Sequence, residues 1–261
     1  MPEGSLSQRE RRRYSKQILI PEIGIEGQEK FKRSSVIVVG AGGLGCPVLQ
    51  YLVAGGIGRV ALVDFDMVDE TNLQRQLLYG SNDLGKLKSV IARTRLEELN
   101  PMVKIEVLNL TINASNSLNI FKDFDIVVDA TDNFESRFII NDSCVILNKP
   151  MVHGAIHKFE GEVSVFNYKN GPTYRCYNPF NTNGNYEDLN PSDPGLLGVL
   201  AGITGSVMAN EVFKIIAGIG DILAGKILII NILNNSFQTM KITGIPENHN
   251  IKEVGIIAKK S

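Results

Sequence analysis

An apolar run ends in glycines at Val36-Ile37-Val38-Val39-Gly40-Ala41-Gly42-Gly43-Leu44-Gly45, with Gly40, Gly42 and Gly45 in the spacing G-x-G-x-x-G. After a strand and before a helix, this spacing makes a tight turn that brings backbone N–H groups and the positive end of a helix close to phosphate. Asp64 lies about twenty positions beyond, where a carboxylate holds ribose hydroxyls. On this fingerprint alone the ligand is a dinucleotide and the chemistry is that of an NAD-dependent oxidoreductase. The plainer alternative is that the glycines serve packing only.

The residues beyond the loop point to a phosphate that is cut. Cleavage between α- and β-phosphates builds charge on the α-phosphorus oxygens and on departing pyrophosphate, so cations and a metal must be placed there in advance. A polar, cationic stretch, Asn72-Leu73-Gln74-Arg75-Gln76, follows Asp64 and Asp66. Gly85-Lys86-Leu87-Lys88 opens the next expected helix, where a lysine opposes the helix dipole and a bound triphosphate would account for it. Asp132, in Asp129-Ala130-Thr131-Asp132-Asn133, is a hard carboxylate at the carboxyl end of a strand, suited to Mg²⁺. Singly, each has a plainer reading: an exposed lysine, or an aspartate capping the helix that begins near Phe134. Their shared placement around one sheet edge is the stronger observation.

Elements that would position these groups follow from periodicity. Strands are expected at 35–39, 59–64, 103–108, 125–130 and 151–156, alternating with helices at 44–54 and 84–99. That order implies parallel pairing with right-handed crossovers, hence an α/β, Rossmann-like, doubly wound sheet. Residues 162–168 alternate as a half-exposed antiparallel strand would, 170–195 read as a long loop, and 203–217 as a helix closed by Gly218. Strands at 226–234 and 237–242 form an expected hairpin around Asn234-Asn235. The chain is read as one domain, 1–261: an arm (1–34), a nucleotide-binding half (35–158), an antiparallel half (159–245) containing the 170–195 loop, and a tail (246–261).

The 261 residues are 43% hydrophobic, enough for a substantial core, and the net charge of −1 argues against nucleic acid as the main partner. Arg11-Arg12-Arg13 reads as a solvated helix end. The first ten residues are polar, with no signal-peptide pattern, and no uninterrupted apolar segment reaches bilayer-spanning length. Three scattered cysteines suggest a reducing compartment, so a cytoplasmic protein without a membrane partner is expected.

The motifs RYSKQILIPEIGIEGQEKF, VVGAGGLG, LVDFD, NLQRQ, LGKLK, DATDN, GAIHKFEGEVSVF, YRC and LLGVLAGITGSVMANEVFKIIAG extend from about Tyr14 to Ile242. Through them the chain resembles the molybdopterin-synthase and thiamine-pathway adenylyltransferases (the MoeB/ThiF family), relatives of the ubiquitin-activating enzymes. The resemblance implies that the loop holds ATP as a substrate. The C-terminal glycine carboxylate of a small ubiquitin-fold sulfur carrier, ending in diglycine, would attack the α-phosphate to give an acyl-adenylate and pyrophosphate. By motif, Gly40, Gly42, Gly43 and Gly45 belong to the ATP loop, with Gly43 against the phosphates, and Asp64 binds ribose beside Asp66. Asn72, Arg75 and Gln76 would surround the triphosphate, Lys88 neutralise it and Asp132 ligate Mg²⁺. Lys86 has no family counterpart. Members are typically homodimers in which an N-terminal arginine reaches the partner's ATP; Lys16 holds that position here, keeping the charge without the bidentate fork.

Two departures from the family pattern shape the expectation. Of the C-x-x-C pairs that hold a structural zinc in many members, only Cys176 remains in Thr173-Tyr174-Arg175-Cys176, and the tail from Ile251 has no cysteine, so no zinc is expected. The stretch 189–195 lacks the cysteine that some members use to link covalently to the carrier. Cys46, on the helix after the loop, is read as a packing residue, and His153 and His157 as structural, because an ionised carboxylate needs no general base. The expected protein is therefore an ATP- and Mg²⁺-dependent adenylyltransferase that stops at the acyl-adenylate, in molybdopterin rather than thiamine biosynthesis. The 170–195 loop and the antiparallel strands would receive the carrier. A peptide-modifying adenylyltransferase, a non-catalytic carrier-binding module and an NAD-dependent oxidoreductase are the alternatives.

Overall fold

The computed structural model describes residues 5–179 and 195–255. The arm folds as three helices, α1 (Gln8–Arg13), α2 (Ser15–Ile18) and α3 (Gly24–Arg33). Ser7 and Glu10 form a reciprocal capping box on α1, and the exposed Arg11, Arg12 and Arg13 occupy its last turn, where positive charge suits the dipole. The chain continues through β1 (Ser35–Val39), α4 (Gly45–Gly55), β2 (Arg59–Val63), α5 (Lys88–Leu99), β3 (Lys104–Leu108), α6 (Ser117–Phe121) and β4 (Ile126–Asp129). After α7 (Phe134–Ile146) come β5 (Met151–His157), β6 (Glu160–Phe166), α8 (Tyr174–Tyr177), α9 (Gly198–Ala217), β7 (Lys226–Asn231) and β8 (Ser236–Lys241).

The strands form one sheet in the order β3-β2-β1-β4-β5-β6-β7-β8, parallel as far as β5 and antiparallel beyond it. This is the expected mainly parallel α/β sheet with an antiparallel extension. Strand periodicity divides the core between its faces. Val36, Val38, Val60 and Leu62 pack into a layer with Leu49 and Leu52 of α4 and Met208 of α9. Ile37, Val39, Ala61 and Val63 face the other way, towards Phe121, Phe138 and Tyr174. Both faces of the central strands are covered, which is why they read as continuous apolar runs.

Several elements differ from expectation. The helix expected from residue 84 begins at Lys88, because Gly85 turns with φ +72° and Leu87 is held extended by a bridge to Met67. The helix expected from 203 begins at Gly198 and ends, as expected, at a left-handed Gly218. The expected half-exposed strand is buried on both faces: Val163 and Val165 join the α9 layer and Phe166 joins the other. The expected 170–195 loop contains α8; residues 180–194, and with them most of the 189–195 stretch, lie outside the described residues, as do 256–261 of the tail. By length and composition alone α9 could cross a membrane, although Glu211 and Lys214 interrupt its apolar sequence; here it is a core helix packed on α4, β5 and β6.

The arm is fastened to α4 and the end of α5 by side-chain amides. Gln28 Nε2 donates to Gly55 O at 2.9 Å, and Gln17 Nε2 donates to the same carbonyl at 3.1 Å. Asn100, fully buried, donates through Nδ2 to Tyr14 Oη at 2.8 Å and to Val53 O at 2.7 Å. Beneath the carboxyl edge of the sheet, Asp129 and His153 are register partners on β4 and β5, joined by a 2.7 Å contact between Oδ2 and Nδ1. His153 Nε2 stands 3.7 Å from Glu162 Oε1, and Glu162 Oε2 accepts from Tyr177 Oη at 2.7 Å. Burial pushes the His153 pKa down, but the bond to Asp129 and the nearby Glu162 carboxylate outweigh it and hold the pKa above its ordinary value. Burial likewise pushes Asp129 up, and His153, Arg137 and Thr131 outweigh it, holding the carboxyl below the usual range.

Two outcomes are expected. Asn100→Ala removes the buried amide that bonds both Tyr14 Oη and Val53 O and lowers stability by about 1–3 kcal/mol, read from urea midpoints. A raised His153 pKa stabilises the fold fully below the unfolded value of 6.5, and that contribution is lost as pH rises through the folded value. Wild-type urea midpoints should therefore fall relative to those of His153→Gln as pH rises above about 6.5. Parallel curves for the two proteins would refute a protonated His153.

Candidate active site

A cavity of about 730 Å³ opens at the carboxyl ends of β1, β2, β4 and β5, where connections leave β1 and β4 on either side of the sheet's reversal in order. This is the position at which open α/β sheets bind ligands, and the volume suits a drug-sized or nucleotide-sized molecule. Gly40 enters the loop with φ +95°, and a Cβ there would lie 2.7 Å from Ala130 O. Gly45 approaches still closer, since its Cβ would lie 2.0 Å from Gly40 O. The loop backbone is then held from two directions at Ala41. Asp64 Oδ2 accepts from Ala41 N at 2.7 Å, and Tyr79 Oη donates to Ala41 O at 2.8 Å. Asp64 Oδ1 also accepts from Asp66 N at 2.9 Å. Burial raises the Asp64 pKa, although both backbone bonds and Lys88 oppose the shift. Each oxygen keeps a lone pair for a ligand hydroxyl.

Of the residues expected at the site, Gly40, Gly42, Gly43, Asp64, Asp66, Arg75, Gln76, Lys88 and Asp132 line this one cavity. Three do not. Gly45 lies beneath the loop as the packing contact just described. Asn72 closes the 3₁₀ turn Glu70–Asn72; its carbonyl accepts from Arg75 N and Gln76 N at 3.0 Å each, so it positions its neighbours through backbone. Lys16 is exposed on α2 and contributes nothing to the cavity of its own chain.

The charged groups fall into two kinds. Lys88 is buried and pairs with Asp66, Nζ to Oδ2 at 3.0 Å, while its backbone N–H donates to Asp66 O at 2.9 Å. It is therefore a fixed cation at the first residue of α5. Arg75 lies along Gly43, whose Cβ would stand 3.5 Å from Arg75 Cγ, and donates to Thr71 O at 2.9 Å. Gln76 is buried with Oε1 unpartnered beside Gly42, an acceptor waiting in the cavity wall.

Asp132 does not cap α7. Asn133 does so, its side chain accepting from Ser136 N at 2.9 Å. Asp132 takes only a 3.4 Å bond from Asn133 Nδ2, which leaves its carboxylate exposed to the cavity. One open carboxylate beside phosphates fits Mg²⁺, which keeps several waters and takes its remaining ligands from the phosphates.

The surroundings of Cys176 do not fit zinc. Its Sγ accepts from Thr173 N at 3.4 Å, Ile245 N at 3.3 Å and Asn248 Nδ2 at 3.6 Å. Burial pushes this thiol's pKa up, and those donors outweigh it and lower it. Donor hydrogens occupy the places that a tetrahedral metal would need filled by electron pairs, and no described residues gather three metal-ligating side chains. Cys46 is inert by burial, its thiol pushed up to about 12.

His157 lines the cavity at its β5 rim, whereas His153 is buried below it. Two residues went unnoticed in the sequence. Tyr79 holds the loop carbonyl from outside any motif, and Arg137 lines the cavity five positions beyond Asp132 on α7. Helical spacing from Asn133 was the signal available for Arg137; nothing local marks Tyr79.

Comparison with known proteins agrees with this geometry. The ThiF family model matches residues 14–251. A probable molybdopterin-synthase adenylyltransferase of Porphyra purpurea is 48% identical over 231 residues, covering 88% of this chain and 60% of its own. A sulfur carrier protein adenylyltransferase of Thermus thermophilus is 44% identical over 248 residues, 90% of this chain and 88% of its own. Other curated relatives, named as adenylyltransferases with sulfurtransferases, are longer, and this chain spans 51% to 65% of them. Among solved structures, E. coli MccB with ATP superimposes at a TM-score of 0.80 with 24% identity, covering 94% of this chain and 75% of that one. With nearly its whole length matched and its motifs gathered on one cavity, the chain belongs to the ThiF family.

Proposed function

We propose that the protein is a sulfur-carrier adenylyltransferase that uses ATP to activate the C-terminal glycine carboxylate of a small ubiquitin-fold carrier ending in diglycine. The observation that carries this reading is the convergence of Arg75, Lys88 and Asp132 on the cavity of the glycine loop. An intact redox cofactor needs no such set, whereas separation of pyrophosphate from an α-phosphate does. Relatives named as sulfur carrier and molybdopterin-synthase adenylyltransferases support the substrate class, and MccB, of the same fold, was solved with ATP.

In this reading the glycine loop presents backbone N–H groups to the phosphates, while Asp64 receives the ribose hydroxyls. Lys88, fixed by Asp66, and Arg75, laid along Gly43, balance charge on the triphosphate. Magnesium held by Asp132 would neutralise charge on the α-phosphate and the leaving pyrophosphate. The carrier carboxylate, already ionised, forms a bond from its oxygen to the α-phosphorus. The bond from that phosphorus to the bridging oxygen breaks, and its electron pair leaves with pyrophosphate.

The pathway is inferred to be molybdopterin biosynthesis, with thiamine biosynthesis as the alternative. We also infer a cytoplasmic homodimer in which Lys16 reaches the partner's nucleotide; its exposure on α2 is compatible with that task. No structural zinc is inferred, in keeping with the hydrogen bonds converging on Cys176.

Carrier-dependent ATP–pyrophosphate exchange with diglycine-ended carriers of the same genome is the direct test. Asp132→Ala should lower exchange by roughly 10²–10³ or more, and wild-type exchange in that variant would sink the metal assignment. Elemental analysis should find far less than one zinc per chain, and a chelator should leave the melting temperature unchanged. Cys176→Ala should cost about 1–3 kcal/mol of stability through the lost acceptor.

A further inference from the structure

Arg75 and Lys88 stand on the β1–β2 side of the cavity. The β4–β5 side carries another guanidinium, to which the reaction above assigns no task. Arg137, on α7, lines the cavity together with Asp132, Ser136, His157 and Lys158. Its Nη2 donates to Thr131 O at 3.1 Å, and its guanidinium carbon lies 5.3 Å from the centroid of Phe134. Its Nε is buried and has no hydrogen-bond partner. An unmet buried donor is rare in a native fold and costly to keep, and an acceptor supplied by a ligand would relieve it.

The nearby carboxylates do not supply that acceptor. Asp129 is committed to His153 through Oδ2 and to Thr131 through Oδ1, at 2.7 and 2.6 Å. Glu162 is committed to Tyr177 at 2.7 Å and faces His153 at 3.7 Å. The charge of Arg137 acts on both carboxylates, which helps to hold a cation in this partly buried place, yet Arg137 makes no ion pair with either among the described residues. The cations on the other side are already engaged, Lys88 with Asp66 and Arg75 with Thr71 O. Lys158, on the rim, is exposed.

We propose that Arg137 binds the C-terminal carboxylate of the incoming carrier and aims it at the α-phosphorus. A guanidinium fork matches a carboxylate through two parallel hydrogen bonds, fixing its direction as well as balancing its charge. Arg137 stands on the cavity wall that also carries Asp132, the residue that would hold Mg²⁺. This rests on the adenylyltransferase reading. The residue distinguishes a free terminal carboxylate from any uncharged chain end, and so sets specificity for the reacting group itself.

The test uses the carrier that supports exchange with the wild type, prepared with its terminal carboxylate and as the terminal carboxamide, titrated calorimetrically in the presence of a non-hydrolysable ATP analogue. Wild type should prefer the carboxylate by roughly 10- to 100-fold. Arg137→Ala should lose that preference, raise the carrier KM in exchange by a similar factor and leave ATP-analogue affinity unchanged. Arg137→Gln, which keeps an amide donor for Thr131 O, is read in the same way and serves if the alanine variant does not fold. Arg137→Lys should restore part of the preference. A merely structural arginine would alter ATP and carrier affinities together. Retention of the preference by the alanine or glutamine variant, with wild-type exchange intact, overturns this inference alone. Absence of exchange by the wild type with every carrier overturns the adenylyltransferase reading and this inference with it.

Discussion

The close approach of two backbones at the centre of the sheet governs the site. β1 and β4 are parallel neighbours, and Ala130 N, just past β4, donates to Val39 O at 2.9 Å. Gly40 then turns away so near Ala130 O that any side chain would collide. That contact forces the chain leaving β1 and the chain leaving β4 to diverge above the sheet, and the gap between them is the cavity. Asp64 and Tyr79 lock the first chain at Ala41, and Asn133 caps α7 on the second. The phosphate-facing backbone is therefore arranged before any ligand arrives, as electrostatic catalysis requires.

Charge around the cavity is graded by depth. Asp129 and His153 form a buried pair that Glu162 faces at 3.7 Å, and the shifted pKa values of this largely buried set reflect mutual stabilisation exceeding the cost of burial. Lys88 is buried as well, but against the exposed carboxylate of Asp66, so its position is fixed while its partner remains in water. Asp132 and Arg75 are open and hold few protein partners. Fixed groups can define geometry, and open groups can exchange water for ligand; the cavity places the two kinds side by side. Arg137 bridges them, lining the cavity while its charge acts on the buried set.

Away from the cavity, a sulfur atom joins two segments by hydrogen bonds. Cys176, just after α8 begins, accepts hydrogen bonds from Ile245 and Asn248, across about seventy positions of sequence. A soft, polarisable acceptor with a lowered pKa can serve several donors at once, which allows a single residue to cross-link the antiparallel half to the chain beyond β8. The arm is tied at the opposite end by Gln17, Gln28 and Asn100. Both attachments are polar and directional, so they fix the placement of the segments they join.

Sequence alone determined whatever depends on local pattern. Continuous β-branched runs identified the central strands, the G-x-G-x-x-G spacing located the glycine loop that lines the cavity, and the motifs through Arg75, Lys88 and Asp132 pointed to the family. Boundaries misread were those set by distant contacts: α5 starts late because Leu87 bridges to Met67, and β6 is buried because α9 covers it. Local pattern also offered Asp132 as the cap of the helix near Phe134. The fold chose Asn133 and left Asp132 open, because capping depends on which side chain reaches Ser136 N. Only tertiary structure could show that Tyr79 holds Ala41, that Asn72 acts through its carbonyl, that Lys16 stands away from its own cavity, and that Arg137 keeps an unmet donor. Sequence spacing carries the chemistry available to a residue; which atoms remain unsatisfied after packing decides how that chemistry is used.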